Sequence, residues 1–307
     1  MIMDKYLVLD VGGSSIKYAI MTKEAEFLKK GKVPTPKEKI EDFVEVIGKI
    51  YDEFKDEIKG MAMSLPGLID SERGYAYTGG NLLYNNQKEI VKILQERCPI
   101  KITIENDAKC AALAEVWRGS LKDCRDGIVV VLGTGIGGAV IKDRKVHKGK
   151  HFFAGEFSFI RTDINDPDNL DNIWARKSGS SALIKAAADV KGLKEEDLDG
   201  YKVFEYINNG DEDVLKVLDD FTKTIAVQII NLGCVFDPEK VSIGGGISAQ
   251  PILIEYINKN LKESYDAISE LGDFPQIKVE KCTFENDSNL IGALYNYFTL
   301  DSKMNNL

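Results

Sequence analysis

The feature that most restricts how this chain can fold is a pattern written twice. Tyr6-Leu-Val-Leu-Asp10 is a short apolar run that breaks at Val11-Gly12-Gly13-Ser14-Ser15 and resumes as Ile16-Lys17-Tyr18-Ala19-Ile20. Ile128-Val-Val-Val-Leu132 breaks in the same way at Gly133-Thr134-Gly135-Ile136-Gly137-Gly138 and resumes as Ala139-Val140-Ile141. Each reads as strand, glycine turn, strand. A shift of 123 positions lays Asp10 on Gly133, Gly12 on Gly135 and Ser14 on Gly137, so the chain is read as internally duplicated. Its 307 residues exceed the size at which one hydrophobic core keeps growing, and two lobes with a cleft between them are expected.

Between the copies the pattern predicts a helix over 38–54, a strand over 60–65 and a Pro66-Gly67 turn. A Gly79-Gly80-Asn81 loop, a helix over 87–97 and a strand over 100–104 follow. Strands alternating with helices indicate an α/β lobe. Beyond the second copy the chain turns mainly helical, with helices over 180–191, 214–234 and 251–262. A strand over 240–243 runs into Gly244-Gly245-Gly246. The last helix, over 289–298, is expected to return to the first lobe. The expected division is therefore 1–112 plus 289–307 for a small lobe and 113–288 for a large one.

Glycine at a strand end admits positive φ and lets backbone N–H groups approach a bulky anion. A single Gly-Gly turn is explained equally well by a hairpin, but two matched turns and a later triple glycine favour a polyphosphate gripped at more than one turn. Neither turn is a Walker A loop, because GxxxxGK[ST] is absent. Nor is Gly133-Thr-Gly-Ile-Gly-Gly138 a dinucleotide fingerprint, since a β-branched strand follows it where a helix would have to start. Asp10, at the mouth of the first turn, is placed either to hold Mg²⁺ through water or to form an Asx turn. Lys17 faces either a phosphate or solvent.

Glu105-Asn106-Asp107-Ala108-Lys109 joins a strand to a helix. Acidic residues there serve as ordinary caps, but the positive helix end also favours an ionised Asp107 able to accept a hydroxyl proton. Asn106 offers a donor and an acceptor to a neighbouring hydroxyl. Glu156, set between apolar neighbours in Phe152-Phe153-Ala154-Gly155-Glu156-Phe157, needs a partner that a sugar hydroxyl would supply. His147 and His151 are four apart, yet Gly149 between them argues against the helix that would aim both at one metal ion.

A net charge of −9 argues against a nucleic-acid surface. Five cysteines without CxxC spacing read as free thiols of a reducing compartment, and no apolar stretch approaches the roughly 20 residues of a membrane span. No signal-peptide pattern stands at the start, so a cytoplasmic protein is expected.

Asp10-x-Gly-Gly-Ser-Ser, Glu-Asn-Asp-Ala, Gly-Thr-Gly-Ile-Gly-Gly, Ala-Gly-Glu-Phe and the late Gly-Gly-Gly together resemble, in order and spacing, the ROK family of sugar kinases and repressors. The resemblance spans nearly the whole chain. It implies an α/β, actin-like ATPase fold of the hexokinase type, related to ribonuclease H, with ATP and Mg²⁺ in the interlobe cleft. It further implies Asp107 as the catalytic base, with Asn81, Asn106 and Glu156 binding sugar hydroxyls. Phosphates are expected at Gly12, Gly13, Ser14 and Ser15 and at Gly133, Thr134, Gly135 and Gly137, with adenosine near Gly245 and Gly246. A homodimer is the expected assembly, with no nucleic-acid or membrane partner. Because only five residues precede the first strand, the DNA-binding helix-turn-helix of the family's repressors is not expected.

Two departures from the family pattern bear on substrate. Gly155-Glu156-Phe157-Ser158-Phe159 stands where many members read Gly-Glu-Phe-Gly-His, and Asp171-Asn-Ile-Trp-Ala-Arg176 occupies the region of the zinc-binding cysteines. Zinc is therefore not expected. The missing groups belong to the anomeric end of the sugar, so a β-glucoside such as cellobiose is the leading expectation, with Trp174 stacking on a second ring. Free glucose is the alternative, followed by mannose, fructose or an N-acetylhexosamine. A sugar-binding regulator without catalysis is the reading outside enzymes.

Overall fold

The structure, a computed structural model, describes residues 3–304. The chain divides into two compact units. The first comprises residues 1–118, 148–153 and 287–307, and the second 119–147 and 154–286.

The first unit is built on a five-stranded sheet. Strands β1 (Lys5–Val11), β2 (Ser15–Thr22) and β3 (Phe27–Pro34) form an antiparallel meander. Helix α1 (Ile40–Phe54) then leads to β4 (Ile58–Leu65), which lies parallel to β1. A small hairpin of β5 (Ile69–Asp70) and β6 (Tyr75–Ala76) precedes α2 (Ile90–Arg97) and β7 (Ile102–Asn106), parallel to β4. Helix α3 (Asp107–Arg118) follows at once. The sheet order is β3-β2-β1-β4-β7. Strands β1 and β4 read as nearly unbroken apolar runs because both faces of the sheet are covered. α1 buries Phe43, Ile47, Ile50, Tyr51 and Phe54, one stripe at helical spacing.

The second unit repeats the plan. β8 (Gly127–Leu132), β9 (Ile136–Lys142) and β10 (Lys145–His147) form its meander. Helices α4 (Trp174–Ser178), α5 (Ser180–Lys191), α6 (Gly200–Asn208) and α7 (Glu212–Phe236) come next. Then follow β11 (Lys240–Gly244), α8 (Pro251–Asp266) and β12 (Lys278–Lys281). β11 lies parallel to both β8 and β12, and the order β10-β9-β8-β11-β12 matches that of the first sheet strand for strand. The duplication is thus a duplication of topology.

Its register differs from the one the glycines suggest. Leu132 ends β8 as Val11 ends β1, and Ile136 opens β9 as Ser15 opens β2, each 121 positions apart. The equivalent turns are therefore 12–14 and 133–135. Gly137 and Gly138 lie inside β9 opposite Val131 and Val130. Matching glycines overshot by two residues because strand pairing, not glycine content, fixes the equivalence.

The final helix, α9 (Ser288–Met304), packs on α3, β1, β4 and β7 in the first unit. The expected boundary at residue 112 falls inside α3, which belongs whole to that unit because its buried face lies against α9. Gly292 is the point of closest approach: a Cβ there would run into the backbone carbonyl of Cys110. Tyr6 of β1 packs edge-on to Phe298 of α9 at 5.1 Å. No helix among the described residues is long and apolar enough to cross a membrane. Gly292→Ala is expected to force α9 away from α3 and destabilise the protein by about 1–3 kcal/mol, read as a lowered midpoint in denaturant unfolding.

Candidate active site

Parallel strands present their carboxyl ends together, and the polar residues of the first unit gather there. Asp10 stands opposite Ser64, and Ser64 opposite Glu105, across β1, β4 and β7. Asp10 is 8% exposed; its Oδ1 accepts from Ser64 Oγ at 3.1 Å and from Asn289 Nδ2 at 2.9 Å, and Lys17 Nζ lies 3.8 Å from its Oδ2. Asp10 therefore sits within β1 and forms no Asx turn. Lys17, its neighbour across the β1–β2 ladder, is partnered with it.

At the end of β7 the cap of α3 is Asn106, whose Oδ1 accepts the Lys109 N–H at 3.1 Å. Its Nδ2 donates to the Gly67 carbonyl at 3.0 Å and to Asp107 Oδ1 at 2.9 Å. Asp107, the first residue of the helix, also accepts the Ala108 N–H at 2.8 Å through Oδ1 and is half-buried. The competing assignments of the sequence thus separate: the asparagine caps the helix, and the aspartate is oriented by it. Asn106 uses both ends of its amide in doing so.

Glu105 is 2% exposed. Its carboxylate takes Ser71 Oγ at 2.8 Å, the Asn106 N–H at 2.8 Å and the Lys148 ammonium at 2.7 Å. Cys110, one turn into α3, is fully buried; burial first, then the Glu105, Asp10 and Asp107 carboxylates, push its thiol well above the usual range. The thiol thus stays protonated beside three acids.

The first glycine turn is shaped from behind. The Gly12 carbonyl accepts from Thr35 Oγ1 at 2.7 Å, the Gly13 carbonyl from the Lys37 ammonium, and the Ser14 carbonyl from the Thr35 N–H at 3.2 Å. Tyr84 holds this bracing segment by donating its hydroxyl to the Pro36 carbonyl at 3.0 Å, and burial pushes that hydroxyl up to about 12. The Gly12 N–H closes the turn onto the Ser15 carbonyl at 3.0 Å. With its carbonyls occupied, the turn retains the N–H groups of Gly13 and Ser14, which meet no protein acceptor among the described residues. Asn81 lies beside it, its Nδ2 3.7 Å from the place of a Cβ on Gly13.

In the second unit the Gly133 carbonyl accepts the Ser180 N–H at the start of α5 at 2.8 Å. The N–H groups of Thr134 and Gly135 likewise meet no protein acceptor among the described residues. Gly245 has φ 94° and lies so close to Leu132 that a Cβ would strike that residue's backbone, whereas a Cβ on Gly246 would meet nothing within 4 Å. Both features lie at the carboxyl ends of β8 and β11, where α/β sheets receive ligands. Glu156 is half-buried, set by Phe157 packed over Gly138 and by Ser158 Oγ on the Ile136 carbonyl.

Trp174 does not do what the sequence suggested. It is fully buried and packs on Phe157 at 6.0 Å in the core of the second unit, unable to meet a ligand ring. His147 and His151 are exposed, and no group of three or more His, Cys, Asp or Glu suited to a metal occurs among the described residues. Thr35, Lys37, Lys148 and Asn289 have no local pattern that singles them out, and Ser64 has little more. Only Ser64, at a strand end in register with Asp10, carried a usable signal.

Two five-stranded sheets of one order, each with a glycine turn after its first strand, define the architecture, and solved structures share this fold. A ROK family protein from Streptococcus pneumoniae in complex with sucrose superposes with a TM-score of 0.87 at 27% identity, over 97% of this chain and 99% of that one. A ROK family glucokinase from Streptomyces griseus in complex with glucose and AMPPNP does so at 0.78 and 22%, over 94% and 98%. The fold is the actin-like, hexokinase-type ATPase fold, and the protein is an enzyme, a carbohydrate kinase. The chain belongs to the ROK family, whose pattern it matches over residues 6–297. It is 25% identical to a beta-glucoside kinase of Listeria monocytogenes, over 97% of this chain and 99% of that one. It is 27% identical to a glucokinase of Halalkalibacterium halodurans, over 94% and 93%, and 29% identical to an N-acetyl-D-glucosamine kinase of Haemophilus influenzae, over 83% and 88%.

The burial of Cys110 has a direct chemical readout. In the native protein a thiol reagent is expected to label the exposed Cys234 and to leave Cys110 untouched until denaturant is added, as checked by mass spectrometry of the labelled peptides.

Proposed function

We propose that this kinase transfers the γ-phosphoryl group of MgATP to the 6-hydroxyl of a glucose-type sugar, with a β-glucoside such as cellobiose as its leading substrate. The observation that carries the assignment of the base is the division of labour at α3: Asn106 caps the helix through its Oδ1 and orients the Asp107 carboxylate through its Nδ2. Asn81 and Glu156 supply polar groups to the sugar hydroxyls, and Asn106 the second lone pair of its Oδ1.

As the O6 proton passes to Asp107, O6 bonds to the γ-phosphorus and the bond from that phosphorus to the β,γ-bridging oxygen breaks, releasing ADP. Phosphate oxygens are received by the N–H groups of Gly13 and Ser14 and of Thr134 and Gly135; Gly12 and Ser15 shape the first turn and Gly133 the second, with Gly137 just beyond it in β9. Gly246 leaves room for adenosine, and Gly245 beside it lets the chain pass close over Leu132. Lys17, with its Nζ 3.8 Å from Asp10 Oδ2, adds positive charge at the first turn. Asp10, a buried carboxylate fixed by neutral donors, suits a water-mediated hold on Mg²⁺, which would neutralise phosphate charge. A homodimer in the cytoplasm is the setting this reading assigns.

The β-glucoside preference is supported by the replacement of the Gly-His pair after Glu156-Phe157 by Ser158-Phe159 and by the similarity to a beta-glucoside kinase. Free glucose is the second reading, supported by the similarity to a glucokinase. Turnover on glucose and cellobiose side by side separates them, and no detectable phosphorylation of cellobiose would sink the first. Asp107→Asn is expected to lower kcat by about 10²–10⁴-fold while calorimetry still registers sugar binding; unchanged kcat would remove Asp107 from the role of base.

A further inference from the structure

Between β10 and Glu156 the chain leaves the second unit for six residues, and Lys148–Phe153 belongs to the first. The attachment is ionic and buried. Lys148 Nζ lies 2.7 Å from Glu105 Oε2 and donates to Ser71 Oγ at 2.5 Å, with the Ile69 carbonyl at 3.5 Å. Charges are costly to bury, and a pair of this kind stands up only with further hydrogen bonds, which Ser71 and the Asn106 N–H provide.

The attached segment presents aromatic rings. Phe152 has φ 60°, in a region that a bulky residue avoids, and its ring meets Tyr77 at 5.3 Å. Tyr77 in turn meets Tyr75 at 5.0 Å, and the Arg73 guanidinium lies over Tyr75 at 5.1 Å. This row is no piece of core: Tyr77 is 38% and Phe153 51% exposed, and Phe152 is half-buried. Backbone strain persists where the surroundings over-determine it, and here core burial is not the return.

The row adjoins the sugar machinery of the same unit. Tyr77 precedes Thr78-Gly79-Gly80-Asn81, and its N–H donates to the Leu68 carbonyl at 2.9 Å. The neighbouring Gly67 carbonyl takes the amide of Asn106. One framework thus carries the candidate base, the sugar loop and the aromatic row. Flat, partly wet rings with an amphipathic Tyr suit a pyranose, whose carbon-bound hydrogens make an apolar face within a rim of hydroxyls.

We propose that Tyr77 and Phe152 form the platform for the second glucopyranosyl ring of a β-linked disaccharide, and that the Glu105–Lys148 pair positions it. Resting on the β-glucoside reading above, the platform takes the place that the buried Trp174 cannot fill.

The test uses the full-length enzyme with glucose and cellobiose. Tyr77→Ala and Phe152→Ala are each expected to lower the ratio of kcat/KM for cellobiose to that for glucose by about tenfold, the loss of one stacked ring. Tyr77→Phe is expected to keep the ratio within about twofold of the wild type. Lys148→Met is expected to lower the ratio in the same sense and Lys148→Arg to recover part of it. The ratio stays readable if a variant folds less well, because both substrates report on the same folded population. An unchanged ratio in both alanine variants overturns the platform. So does a wild type that binds cellobiose no more tightly than glucose by calorimetry, even if it phosphorylates neither. The kinase reading fails separately, through an Asp107→Asn enzyme that remains active.

Discussion

Parallel pairing of β1 with β4 and of β4 with β7 places Asp10, Ser64 and Glu105 in one row across the first sheet. The polar contacts of Asp10, Ser64 and Glu105 described above depend on this register. A slip of one residue would turn each of these side chains to the opposite face and move Asn106 and Asp107 relative to the strand ends. The two ends of the row are tied from outside it, Asp10 by Asn289 and Glu105 by Ser71 and Lys148, and Ser64 between them donates to Asp10. Such ties come from sequence-distant segments, so the geometry at Asp107 depends on the whole unit being assembled.

The two units share a strand order and differ in what their turns are made of. The first turn takes its shape from Thr35 and Lys37, which occupy three successive carbonyls. The second has glycine at both ends of the turn and leans on the start of α5. Both solutions leave a pair of N–H groups without a protein acceptor among the described residues. An anion bound at such groups is stabilised by fixed dipoles, so a net charge of −9 does not by itself exclude an anionic ligand.

Much of this was legible in the residues. The strand, glycine turn, strand pattern fixed the α/β class and the duplication, and α5 runs over the 180–191 that its periodicity indicates. The Glu-Asn-Asp-Ala segment drew attention to Asp107, although the division of roles between Asn106 and Asp107 depends on which amide oxygen meets the Lys109 N–H, a matter of a few dihedral angles. Three things were not legible. Trp174 looked like a ligand-stacking residue because burial cannot be read from a short amphipathic stretch. Asn289 contacts Asp10 across 279 positions with no local signal. The passage of Lys148–Phe153 into the first unit depends on an ion pair between residues 43 positions apart, in a loop whose sequence shows only charge and aromatics.

The placement of α9 bears on the order in which the protein is made. The first unit begins with β1 but lacks α9 until the end of the chain has been synthesised, whereas the second unit lies wholly between its segments. During vectorial synthesis the second sheet has all of its strands while Tyr6 still lacks Phe298 and Asp10 still lacks Asn289. The unit started first is completed last, so the nascent chain passes through a stage in which the surface of α3 that later receives Gly292 is uncovered.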